Sequence, residues 1–355
     1  MLSLAEANNF RIRSIWIADA AHQGASGVLN ASKIGNDPSW LDHPRDMLHM
    51  INHFRKEMPL PLFGIGHSFG GNNLANISLM HPRLFAGHVM LDPVISGPPS
   101  NPGEGPAKAS TFRRDLWPSR EEAIKGHMKS PYYLAWDSRV LDRWNNYGLI
   151  DTPTALYPDE CGRAVTLTTP KHQEVFTFLR PLFPDPSQAP LDKITDYSHP
   201  DIDPDIHPTG HNFYSPVPYS TLKLLQHVRP PIMYVFGGTS PMNPDFGIKQ
   251  KMDITGTGVG GSGGAAKNKV RQITLPKVGH LVAMEAPMET AKGAAGFIGE
   301  TMVGWREEAR KYDEWTKKGK MERQTVSEEW KRRMGGDPRG GKNGKIAVAP
   351  AKYKL

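Results

Sequence analysis

Apolar positions along this chain recur in two rhythms, and the order of the rhythms is informative. Short continuous apolar runs stand at residues 11–19 (RIRSIWIAD), 60–66, 85–91, 231–236 (PIMYVF) and 270–275 (VRQITL), the length and character of buried strands. Between them, residues 42–58 repeat at helical spacing through Met47, Ile51 and Phe54, residues 69–81 continue as a second helix, and a long helical stretch follows from about 286 to 333. Strands that alternate with helices predict βαβ units, hence an α/β fold with a mostly parallel sheet.

The alternation stops between residues 96 and 225. Prolines are frequent there, with short helical pieces such as REEAIKGHMK and aromatic clusters such as SPYYLAWDS and HNFYSPVPY. So long a stretch without strand signals predicts a helical or irregular insertion forming a cap, rather than a structureless loop. The expected organisation is residues 1–95 as the first part of a core, 96–225 as a cap or lid, 226–333 as the rest of the core with the long helix, and 334–355 as a basic flexible tail rich in Gly, Pro and Lys.

Charge changes the picture only once it is located. The formal net charge is +7, and residues 301–355 alone hold 15 Lys/Arg against 8 Asp/Glu. The first 300 residues hold 28 of each, so the globular part has the balance of an ordinary solvated surface and not of a nucleic-acid groove. The one cysteine, Cys161, excludes an intramolecular disulfide and fits a reducing compartment. Asp159 and Glu160 beside it disfavour a thiolate, so a structural role is expected of it. The first residues carry no signal-peptide pattern, and no run of eighteen apolar residues occurs anywhere, so a chain without a transmembrane segment is expected.

The candidate chemistry begins at FGIGHSFGGN, residues 63–72. Gly66-His67-Ser68-Phe69-Gly70 has the form G-x-S-x-G with a strand before it and a helix after it, which is the context that presents a serine hydroxyl on a tight turn as a nucleophile. The Phe69 N–H is then aimed at a developing oxyanion. A serine needs a base, and His280, introduced by Gly279, is the only one of the 14 histidines that follows the final strand. Position 240, where an acid is expected after PIMYVF, holds Ser240. Asp92, at the end of the strand that follows the helix after Ser68, is therefore the candidate orienting acid, with Asp245 in reserve.

These residues resemble the α/β-hydrolase superfamily. The run from Asp19 to Ser26 resembles its D-x-x-G-H-G-x-S turn, with His22 and Gln23 in place of the usual glycine and histidine. IWIADAAHQGASGVLN, GIGHSFGGNNL, GTGVGGSGG and VGHLVAMEAP are together similar to fungal peroxisomal α/β hydrolases, a group that includes a peroxisomal lipase and hydrolases of host-selective toxin biosynthesis. The resemblance spans about residues 5 to 305. It implies hydrolysis of an ester, thioester or related acyl bond, and it favours an acid at the Asp92 position. It also implies an earlier strand with a His-Gly loop that donates a second oxyanion N–H. Only 67 residues precede Ser68, so the expectation is a sheet without its first strands and a hole short of one donor. Either the sequence starts too late or the site has lost activity.

Three further features carry less. Gly256-Thr-Gly-Val-Gly-Gly261 fits G-x-G-x-x-G but lies between a polar stretch and a strand, so a mobile loop beside the site is expected instead of a dinucleotide loop. His199, Asp201, Asp203, Asp205, His207 and His211 are separated by prolines, and no metal site is expected of them. Tyr353-Lys354-Leu355 keeps two residues of an S-K-L signal, which points to a peroxisomal import receptor as partner, with the cytoplasm as the other location. The reading is a serine hydrolase of a hydrophobic acyl substrate that uses Ser68, His280 and Asp92, with Phe69 in the oxyanion hole and with no cofactor, metal or nucleic acid. The alternatives are a non-catalytic binding member of the same fold and a carbon–carbon bond hydrolase.

Overall fold

The computed structural model describes residues 1–97, 102–160, 162–182 and 212–335. In chain order the strands are β1 (Leu62–His67), β2 (Phe85–Leu91), β3 (Leu116–Trp117), β4 (Leu149–Asp151), β5 (Val165–Leu167), β6 (Arg180–Pro181), β7 (Phe213–Tyr214), β8 (Ile232–Gly237) and β9 (Val270–Leu275). The helices are α1 (Leu2–Ala5), α2 (Gly24–Leu29), α3 (Asp42–His53), α4 (Phe69–Met80), α5 (Glu104–Phe112), α6 (Arg120–His127), α7 (Pro131–Leu134), α8 (Ser138–Tyr147), α9 (Lys171–Phe178), α10 (Pro216–Leu224), α11 (Asp245–Ile254), α12 (Val282–Glu285), α13 (Pro287–Thr316), α14 (Lys320–Gln324) and α15 (Glu328–Arg333). The chain divides into two units, residues 1–302 and 303–355.

The first unit is built on a parallel sheet ordered β1-β2-β8-β9. Its centre is buried on both faces, and the period of two sorts the side chains. Met90, Ile232, Tyr234 and Phe236 join Leu74 and Ile77 of α4 in one cluster, whereas Val89, Leu91, Met233 and Val235 join Phe297 and Ile298 of α13 in another. Helices on both faces explain why these strands read as unbroken apolar runs instead of alternating ones. No helix among the described residues is long and apolar enough to cross a membrane.

Three expectations about the elements are corrected. Residues 11–19 are not a strand. A strand exists only where its N–H and C=O groups meet a ladder partner, and here a cavity of about 680 Å³ lies between this segment and β1, lined by Ile12, Trp16, Phe63 and Ile65 among others. Ile17 is 87% exposed, and among the described residues β1 has a single strand neighbour, β2. The insertion between β2 and β8 is not free of strands: β3, β5 and β4 form an antiparallel sheet over a small core of Trp117, Leu149, Val165 and Leu167, and β6 pairs with β7. The stretch read as one long helix is α12 to α15, broken at Ala286 and again beyond Thr316. In the second unit, i to i+3 and i to i+4 ion pairs such as Arg310–Glu307 and Lys318–Glu322 line the exposed helical surface, and each contributes a few tenths of a kcal/mol.

One buried histidine gives the fold a pH signature. His88 on β2 is fully buried; Ser78 Oγ donates to the Leu74 carbonyl (2.9 Å), so the His88 Nε2–H donates to Ser78 Oγ (2.6 Å). Burial pushes the His88 pKa down to about 3, and His67 is likewise held at about 4. An unfolded ring takes up its proton near pH 6.5 while these refuse it, so stability present above pH 6.5 is lost as the pH falls toward 4, at about 1.4 kcal/mol per ring per pH unit. Urea unfolding between pH 7 and 4 is expected to follow that decline, and His88→Leu to make it shallower by about one ring's share. An unchanged slope in the variant would show that His88 does not carry the effect.

Candidate active site

Every side chain expected at the site comes from the carboxyl end of a sheet strand. Ser68 lies between β1 and α4 with φ 55° and ψ −114°, a backbone state that non-glycine residues rarely occupy and that the surrounding structure must hold. The space around it is tight: a Cβ on Gly66 would lie 2.4 Å from the Gly70 carbonyl oxygen. At Gly70 itself a Cβ would meet nothing within 4 Å, so crowding explains the first glycine of the motif and not the second. As the first residue of α4, Phe69 has no intrahelical acceptor for its N–H, while its ring packs edge-on against Trp40 at 4.9 Å between centroids.

The structure brings Ser68, His280 and Asp92 into one hydrogen-bonded line. His280 Nε2 is 2.9 Å from Ser68 Oγ, and His280 Nδ1 is 2.7 Å from Asp92 Oδ2. A carboxylate only accepts, so Nδ1 carries the hydrogen and Nε2 presents its lone pair to the serine hydroxyl. Asp92 is completely buried and sits at φ 43° just after β2. Its charge is held by further donors: the Gly237 N–H to Oδ1 at 3.0 Å and the Ser240 hydroxyl to Oδ2 at 2.5 Å. Lys251, 1% exposed, also feels this carboxylate; burial pulls its pKa down to about 8, and Asp92 opposes that fall.

Asp245 is exposed at the start of α11 and takes no part in the line. The glycine run is also placed differently from expectation. The N–H groups of Gly256, Gly258 and Ser262 donate to the carbonyls of Leu225, Gln226 and Val228. These bonds stitch the run to the segment that leads into the amino end of β8, whereas the Ser68 line stands at the carboxyl ends. Cys161, the His/Asp cluster from His199 to His211 and Tyr353-Lys354-Leu355 lie outside the described residues.

Several contributors were not singled out in the sequence. Ser240 stands in the sequence only where an acid is expected, yet its hydroxyl shares Asp92 Oδ2 with the histidine. Gly237 is required by close approach, because a Cβ there would lie 1.9 Å from the Gly279 carbonyl oxygen. Gly237→Ala is expected to push the His280 loop off the end of β8 and to lower activity by about 10²-fold, the cost of a displacement near 1 Å. Hydrolytic rates measured beside a thermal melt test this; a folded variant at full rate would refute it. His67 donates its Nε2–H to the His280 carbonyl at 2.8 Å, neutral because desolvation and then the His280 ring depress its pKa. The Asp137 N–H in the insertion donates to the Met284 carbonyl of α12 at 2.8 Å. Asp137 lies in the chain within the aromatic group of Tyr133, Trp136 and Trp144, whose ring centroids lie 5.2 to 6.0 Å apart.

Comparison with known proteins bears on the family and the fold. A family model described as the alpha/beta hydrolase family matches residues 2–292. The type I acyl-CoA thioesterase mpaH of Penicillium brevicompactum is 39% identical over 347 residues, covering 92% of this chain and 78% of that protein. Its namesake in Penicillium roqueforti is 37% identical over 337 residues, covering 89% and 76%. Among solved structures, the peroxisomal alpha-beta-hydrolase Lpx1 of Saccharomyces cerevisiae shares the fold with a TM-score of 0.57 at 15% identity, over 87% of this chain and 76% of that one. The chain is a hydrolase and belongs to the alpha/beta hydrolase family.

Proposed function

We propose that this protein is a serine hydrolase of hydrophobic acyl thioesters, with Ser68, His280 and Asp92 as its catalytic line. The observation that carries the reading is the pair of contacts from His280 to Ser68 Oγ and Asp92 Oδ2, 2.9 and 2.7 Å, made above the carboxyl ends of parallel strands. Ser68 Oγ attacks the acyl carbonyl carbon while His280 Nε2 takes the hydroxyl proton, and the resulting oxyanion accepts the Phe69 N–H. Collapse breaks the carbon–sulfur bond, and His280 returns the proton to the leaving thiolate. Water then attacks the acyl-serine with His280 again as base, releasing the carboxylic acid and restoring Ser68.

The thioester class is supported by the two Penicillium relatives named acyl-CoA thioesterases. The apolar character of the acyl group is supported by the aromatic insertion docked on α12, which acts as the cap in this reading. The test is hydrolysis of a series of acyl-CoA thioesters and the matching oxyesters, beside intact-mass detection of a fluorophosphonate adduct. Faster turnover of thioesters and one adduct on Ser68 support the proposal. No adduct and no turnover of either series by folded protein would sink it. A peroxisomal address, read from Tyr353-Lys354-Leu355, belongs to the same proposal; deletion of those residues from a fluorescent fusion is expected to release it into the cytoplasm.

A further inference from the structure

The loop that carries His280 belongs to no strand or helix, yet the proposed chemistry needs its imidazole placed to within a fraction of an ångström. Side chains hold the backbone there. Glu285 Oε2 accepts the N–H of Gly279 at 2.7 Å, and Oε1 accepts the N–H of Leu281 at 3.2 Å. These are the N–H groups of the residues before and after His280. The Glu285 N–H in turn donates to the Leu281 carbonyl at 2.9 Å, the i to i−4 bond of a helical turn, so Glu285 is tied to Leu281 by both its side chain and its backbone. The His280 carbonyl is held by the Nε2–H of His67 at 2.8 Å.

We infer that Glu285 is a positioning residue: its carboxylate grips the N–H groups on both sides of His280 and thereby sets the imidazole between Ser68 and Asp92. The role rests on the catalytic reading given above, although the grip itself is a matter of backbone geometry. Two diverging donors require an acceptor with two oxygens and no hydrogen, which a carboxylate supplies and an amide does not. Charge-assisted bonds of this kind are about twice as strong as neutral ones. Room for the carboxylate exists because position 279 is glycine: a Cβ there would stand 2.8 Å from Glu285 Oε1.

The decisive variant is Glu285→Gln, which keeps the volume but turns an NH₂ group toward one of the two N–H donors. Against wild type it is expected to lower the rate of fluorophosphonate labelling and the kcat for an acyl thioester together, by about 10- to 100-fold, with KM unchanged. Glu285→Asp, which keeps the charge on a shorter arm, is expected to fall between the two. A second readout does not depend on reactivity. The far-downfield proton resonance of the His280 Nδ1–H to Asp92 bond, assigned by its absence in His280→Ala, is expected to broaden or vanish in Glu285→Gln while the remaining spectrum and the melting temperature stay near wild type. Wild-type labelling, kcat and resonance in Glu285→Gln would overturn the inference, as would losses that match the unfolded fraction. If wild-type protein fails to label, the catalytic reading falls, and the resonance alone still decides whether Glu285 sets the ring.

Discussion

Ser68→Ala is expected to abolish fluorophosphonate labelling and to lower kcat for an acyl thioester by about 10⁴- to 10⁶-fold, with the fold intact. The magnitude follows from the role. Without the hydroxyl there is no acyl-serine, and the second half of the cycle has nothing to act on. Binding and the remaining oxyanion donor still supply a small acceleration over water, which sets the floor. The structural cost is small, because alanine leaves the backbone of the turn in place, and part of its unfavourable φ is retained. His280→Ala is expected to lose about as much, and the double variant no more than either alone, since the two residues act as one unit. Additive losses in the double variant would mean that the serine and the histidine work independently.

Asp92→Asn is the second large effect. An asparagine fits the same space, yet one of its two terminal atoms is an NH₂ group. The three donors that converge on Asp92, from Gly237, Ser240 and His280, can no longer all be accepted. The imidazole is then free to take the other tautomer, with its hydrogen on Nε2 facing the serine, where it cannot act as a base. A fall of about 10⁴-fold in kcat is expected at neutral pH, with KM little changed. Steady-state kinetics on the purified variant check it. A loss of less than tenfold would show that His280 is oriented by other groups, such as the grip on its backbone.

How far sequence carried the structure depends on what each residue contacts. β2 and β8 were legible because burial on both faces leaves an unbroken apolar signature. Residues 11–19 carry the same signature without being a strand, since apolarity does not encode whether a ladder partner lies within 5 Å. The strands of the insertion are two or three residues long, too short for any period to register. At the site, Ser68, His280 and Asp92 were legible because each occupies a fixed place relative to a strand end. The supports around them were not. Gly237 and Glu285 act on backbone atoms, Ser240 on a carboxylate 148 positions away in the chain, and such contacts leave no local pattern. The glycine run was misread for a related reason: its composition speaks of freedom, while its N–H groups are committed to residues 225–228.

The outer side of β1 bears on how copies of this protein meet in a crowded solution. An edge that ends in unpaired amides is a template for any passing strand, its own kind included. Ile15 and Ile17, 63% and 87% exposed, would favour such encounters. Arg11 and Arg13, both exposed in the same segment, set like charges against each other whenever two copies align there. Colloidal behaviour should therefore hinge on these two arginines: neutralising them or raising the salt is expected to promote self-association.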